Sequence, residues 1–159
     1  MKKSISKMNT DFKARKFNEQ SYVSNDRPAK KLLLDFLKRN GHEVKRASEN
    51  FEHDLITAKD GHLFFWEVEM KIGYKFTSTD DYQFDTVSFL GRKMRLHNIK
   101  PFFYVIICKE SKHAVMAHSN DIFLNTHRES IVVNAADRTG NDEVYHVPKI
   151  KCKFFNLLQ

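Results

Sequence analysis

Two cysteines, five glycines and three prolines in 159 residues exclude several kinds of protein at once. Cys108 and Cys152 lie far apart, each inside an apolar strand-like run, so a disulfide framework is not expected, and no Cys-x-x-Cys spacing offers a zinc site. The few glycines form no phosphate-cradling loop and no Gly-x-Ser-x-Gly elbow occurs, which removes the kinase, dinucleotide and serine-hydrolase readings that need such turns. No apolar run approaches the roughly eighteen residues of a spanning helix, and the N-terminus lacks the apolar middle section of a secretory signal. A cytoplasmic, intracellular protein with no membrane partner is the expectation.

What is present suits one folded core. Hydrophobic residues make up 41% and aromatic residues 13% of the chain, enough to fill an interior at a length that single domains commonly have. Lysine and arginine number 27 against 20 acidic residues, a formal charge of +7 with a pI near 9.4, which favours polyanionic partners. Residues 1–25 are polar and carry Lys2, Lys3, Lys7, Lys13, Arg15 and Lys16, and read as a flexible basic arm; 26–159 read as a single domain.

The segment "NDRPAKKLLLDFLKRNGHEV" predicts a helix of about three turns. Asn25 or Asp26 is placed to cap it, Pro28 suits its first turn, Leu33, Leu34, Phe36 and Leu37 form its buried stripe, and Gly41 follows its basic end. "HEVKRASE", "HDLITA" and "HLFFWEVEM" predict three strands, the last two joined at Asp60-Gly61, a strong two-residue hairpin signal. A second helix is expected over 83–99, with Phe84, Val87 and Met94 on one face and Gly91 interrupting it. "PFFYVIICK" predicts a buried strand paired with "HAVMAHS", "SNDIFLN" a short helix, and "SIVVNA" and "VYHVPKIKCKFF" late strands. The order predicts an α/β or α+β fold with a central mixed sheet flanked by helices.

A two-residue loop at Asp60-Gly61 makes Lys59 face His62 and sets Asp54 opposite Glu67. Side chains two apart share a strand face, so Glu67, Glu69 and Lys71 project to one side while Phe64, Trp66, Val68 and Met70 project to the other. Carboxylates this close repel unless a cation or proton compensates them. A divalent ion does so naturally, and Mg²⁺ needs only a few hard oxygens. The competing reading is a half-exposed strand face on which Lys71 pairs with a neighbouring glutamate for about 0.5 kcal/mol.

Asp54 followed by the triplet Glu69-Met70-Lys71 resembles the PD-(D/E)XK nuclease superfamily, the restriction-endonuclease-like group that includes junction resolvases and many phage nucleases. The resemblance covers the middle half of the chain. It implies an αβββαβ core and Mg²⁺-dependent hydrolysis of DNA phosphodiesters, with Mn²⁺ as a substitute, as in the small endonucleases of phages and mobile elements. On this likeness Asp54 and Glu69 are the metal ligands, Lys71 is the catalytic lysine, and Glu67, extra to the triplet, is an added catalytic carboxylate. Members of the family often add an acidic residue from the first helix, for which Glu19, Asp26 and Asp35 are equal candidates; the residue before Asp54 is His53 in place of the family's proline. Arg92, Lys93 and Arg95 in "GRKMRL" are the expected nucleic-acid contacts, and the likeness admits a homodimer, since many such enzymes dimerise to cut both strands. The alternative is a catalytically silent protein of the same fold that binds DNA or a partner protein.

Overall fold

A computed structural model of the chain describes residues 25–46, 53–73, 75–124, 127–132 and 141–159. The first helix, α1 (Arg27–Arg39), places Ala29, Leu33 and Leu37 on one buried stripe, with Pro28 in its first turn and Lys38 and Arg39 in its last. Gly41 follows at φ 88°, a left-handed position that glycine occupies without strain. The expected side-chain cap is not made. Asp26 has helical backbone angles and caps nothing, while the Asn25 amide oxygen accepts from the Lys109 ammonium at 3.1 Å. The basic arm at 1–25, apart from Asn25, lies outside the described residues, as does Glu19.

Three strands follow: β1 (Glu43–Arg46), β2 (Leu55–Lys59) and β3 (His62–Lys71). Asp60 and Gly61 both take positive φ, 51° and 79°, and Lys59 pairs with His62, so the hairpin has the register the sequence predicts. With β5 (Phe103–Cys108), β6 (His113–His118) and β9 (Lys153–Asn156) they build a six-stranded sheet in the order β1-β2-β3-β5-β6-β9. Its β3–β5 pair is parallel and its other neighbours are antiparallel. The fold is a mixed α/β architecture.

The sheet is covered on both sides. Toward α1 it turns Leu55, Trp66, Val68, Val105 and Ile107. Toward the opposite layer it turns Tyr104, Ile106, Cys108, Val115 and Ala117, so β5 is apolar at every step, as a strand buried on both faces must be.

That opposite layer departs from expectation. In place of one helix over 83–99 there is a strand, β4 (Thr86–Leu90), then a 3₁₀ turn (Gly91–Lys93) and a short helix, α2 (Met94–Ile99). Val87 and Phe89 are buried while Ser88 is exposed, a period of two that the helical reading passed over. β4 pairs with β8 (Asn141–Pro148), which pairs in turn with β7 (His127–Val132), as a separate three-stranded antiparallel sheet. Helix α3 (Ser119–Phe123) adds Ile122 and Phe123 to the same layer. One face of the main sheet therefore carries a helix and the other carries mostly a second sheet. The run expected as one late strand is broken after Pro148 by a 3₁₀ turn at Lys149–Lys151.

Gly91 marks where β4 must leave the second sheet against β8. A Cβ there would meet the Glu143 carbonyl oxygen at 2.8 Å and a Tyr145 ring carbon at 2.9 Å. Gly91→Ala is expected to lower stability by about 1–3 kcal/mol through that overpacking. Urea unfolding checks it, as a lower midpoint at unchanged slope.

Candidate active site

The site is built on the two residues that follow from the hairpin register. Asp54 immediately precedes β2, and continuing the β2–β3 pairing past Leu55↔Trp66 sets it opposite Glu67. Their side chains extend the ladder. The Asp54 amide donates to Glu67 Oε2 at 2.6 Å, and the Val68 amide donates to Asp54 Oδ2 at 3.1 Å. Just before them His53 is buried, its Nε2 at 2.9 Å from the Lys100 carbonyl oxygen and its ring against Phe65 and Phe102 at 5.1 and 5.4 Å. That anchoring holds the strand entry in place.

Each carboxylate has a lysine from a different element. Asp54 Oδ1 lies 3.5 Å from Lys30 Nζ on α1, and Glu67 Oε1 accepts from Lys93 Nζ at 2.7 Å, at the end of the 3₁₀ turn. Glu67 is only 1% exposed, so its charge depends on these partners. Burial raises its pKa; Lys93 pulls it down and Asp54 pushes it up. Asp26, at the head of α1, is also raised, first by burial and then by Asp54, against the pull of Lys30, Lys93 and Arg92. Of the three first-helix acids, Asp26 therefore shares the field of the site. Asp35 instead pairs with Lys31 on the open side of α1 at 3.3 Å.

Glu69 and Lys71 continue along the same face of β3, beside Ile106 and Cys108 of the parallel strand. Glu69 Oε1 is buried with no hydrogen-bond partner among the described residues, and the same holds for the hydroxyl of Tyr104, which is fully buried. The two groups are neighbours, and the Leu90 backbone approaches the same hydroxyl. Burial, then the Glu69 charge, pushes the Tyr104 phenol well above its ordinary range. Lys71 is half-buried, and its carbonyl accepts from the Lys109 amide at 3.0 Å. Since Lys109 also holds Asn25, the head of α1 is tied to the carboxyl ends of β3 and β5. In α/β sheets ligand sites form at the carboxyl ends of parallel strands.

No family model, curated protein or solved structure matches this chain. Function must be argued from the site itself. Asp54 and Glu67 are joined directly, with Glu69 and Lys71 on the same strand face beyond them. Lys93, expected as a surface phosphate contact, is instead the counter-ion of Glu67, whereas Arg92 and Arg95 are exposed. Among the described residues no three histidine, cysteine, aspartate or glutamate side chains converge as a metal cluster. Lys30 and Tyr104 were missed by the sequence reading, whereas Asp26 was among its three first-helix candidates. The position of Lys30, four residues after Asp26 at the head of α1, was a usable signal for the lysine.

Lys93→Met leaves the Glu67 carboxylate buried without its cation, and a loss of about 3 kcal/mol is expected in urea unfolding at neutral pH. Adding Glu67→Gln to it should restore part of that loss. Because burial raises the folded-state pKa of Glu67, its stabilising share is full below the ordinary carboxylate range and is lost as pH rises through the raised value. A Glu67→Gln variant should therefore lose less stability than the parent between about pH 4 and 7. Parallel unfolding curves across that range would contradict this assignment.

Proposed function

We propose that this chain is a Mg²⁺-dependent DNA endonuclease with a restriction-endonuclease-like core, in which Asp54 and Glu69 hold the ion and Lys71 serves the attacking water. The observation that carries the reading is Glu69, a half-buried carboxylate with which no ammonium or guanidinium of the described residues pairs, on the strand face that also holds Glu67 and Lys71. A carboxylate in that position fits a hard cation, and a donor set of carboxylates without thiol or imidazole fits Mg²⁺ or Mn²⁺. The strand order supports the same core: β1, β2, β3 and β5 are successive neighbours, with β3 and β5 parallel. On this reading β4 is an insertion ahead of α2.

Bound there, the ion supplies polarisation of the scissile phosphate and stabilisation of the leaving alkoxide. The chain's own residues do the rest. The Val68 amide and Lys30 fix Asp54 from opposite sides, and the Asp54 amide and Lys93 fix Glu67, so these carboxylates keep one orientation. The Lys71 ammonium, two residues beyond Glu69, orients the water and offsets charge as it grows on the phosphate. Exposed Arg92 and Arg95, with the net charge of +7, favour the DNA backbone.

One observation favours a second reading. Lys30 and Lys93 already compensate Asp54 and Glu67, as a protein needs if it keeps this fold only to bind DNA or a partner protein. Incubation with supercoiled, linear and branched DNA and Mg²⁺ or Mn²⁺ separates the two. Cleavage is expected, and Lys71→Ala should slow it by about 100-fold while leaving salt-sensitive retention on DNA unchanged. Retention without any metal-dependent product would remove the enzyme and leave the binding protein.

A further inference from the structure

Tyr104 stands on β5 directly beside Glu67 in the parallel ladder, two pairs before Glu69↔Ile106, and shares their face. Its ring is held firmly. Phe89 meets it edge-on at 4.9 Å and Phe102 lies at 6.1 Å, within a core that also contains Val115 and Ala117. The hydroxyl at the end of that ring has 0% of its residue's surface open to water and no hydrogen-bond partner among the described residues. A buried hydroxyl left without a partner is destabilising, and phenylalanine would fill the same space without that cost. The neighbouring Glu69 Oε1 is in the same condition. One of these atoms is a donor and the other can only accept, so they are complementary.

We infer that Tyr104 is a positioning residue for Glu69: its core-locked hydroxyl is the donor that holds Oε1 inward, so that the other carboxylate oxygen is the one offered to a divalent cation. The inference rests on the nuclease reading, and gives it a partner behind the ligand. The ring is fixed by packing on several sides, whereas Glu69 is only half-buried and has three side-chain torsions to adjust. Rotation of Glu69 satisfies both orphaned atoms in one step. An outer partner of this kind orients a ligand without touching the ion, and losing one commonly weakens metal affinity by about 10–100-fold.

Tyr104→Phe tests this with the whole chain, because it keeps the ring and removes only the hydroxyl. Calorimetric titration with Mn²⁺ should give measurable binding for the parent, binding about tenfold or more weaker for Tyr104→Phe, and none for Glu69→Ala. Thermal unfolding without metal should give Tyr104→Phe a midpoint close to the parent's, since Oε1 loses its donor but the half-buried Glu69 can turn toward water. A near-ultraviolet tyrosine difference signal should appear when Mn²⁺ is added to the parent and be smaller in the variant. Equal Mn²⁺ affinity in parent and Tyr104→Phe overturns the inference and leaves the nuclease reading standing. A lowered midpoint without metal, with the Mn²⁺-induced tyrosine signal absent from the parent, makes the hydroxyl structural and overturns it too. A parent that binds no Mn²⁺, with Asp54→Ala indistinguishable from it, overturns the nuclease reading and this inference together.

Discussion

The reciprocal bonding of Asp54 and β3 is the constraint on which the site depends. One amide of each strand is satisfied by a carboxylate of the other, Asp54 N–H by Glu67 and Val68 N–H by Asp54, so the ladder is continued by side chains where β2 has not yet begun. Register follows from it. A slip of one residue would exchange the two faces of β3, sending Glu67 and Glu69 among Leu33, Leu55 and Val105, and sending Trp66 and Val68 away from α1. The Asp60-Gly61 turn selects the register at one end of the hairpin and the crossed carboxylates secure it at the other.

Burying these charges is costly, and the fold offsets the cost by bringing cations from elements distant in sequence. Lys30 comes from α1 and Lys93 from the turn that follows β4, so the two ion pairs tie the layers on opposite faces of the main sheet to a single point on β2–β3. Removing Lys93 leaves an uncompensated buried carboxylate on Glu67, which is far more destabilising than the intact pair is stabilising. The arrangement thus contributes more to the placement of layers than to net stability. It also leaves Glu69 apart from its neighbours: among the described residues no ammonium or guanidinium lies within ion-pair distance of it.

What could be read from the sequence was what short-range rules determine. Asp-Gly demands two left-handed positions, the pairing of Lys59 with His62 follows, and strand alternation then assigns Glu67, Glu69 and Lys71 to one face and Trp66 and Val68 to the other. α1 was legible for the same reason, its Leu33 and Leu37 being one helical turn apart. The β4 segment was not. Thr86–Leu90 is five residues long and runs into Gly91 and a short helix, so its period of two merges with a helical pattern; only the approach of β8 resolves it. The second sheet depends on strands more than fifty residues apart in the chain, such as Phe89 with Tyr145. The lysine partners are tertiary facts as well: nothing local joins Lys93 to Glu67, twenty-six residues away.

The same distinction explains why the charged face of β3 admitted the competing reading of a half-exposed surface. Alternation reports that one face is polar, and water is the usual neighbour of such a face. Here that neighbour is a second layer built from Val87, Phe89, Tyr145 and Val147, which shields Glu67 almost wholly and closes over Tyr104. Enclosure changes the meaning of each group. In water Glu67 and Glu69 would be unremarkable solvated charges, each losing little by lacking a partner; between two sheets every oxygen must be matched to a donor or a cation. Asp54 and Glu67 are matched by the chain itself. Glu69, one oxygen buried and its side chain half-exposed, has no cation among the described residues, and that asymmetry among three neighbouring acids is the physical ground for the ligand role proposed for it.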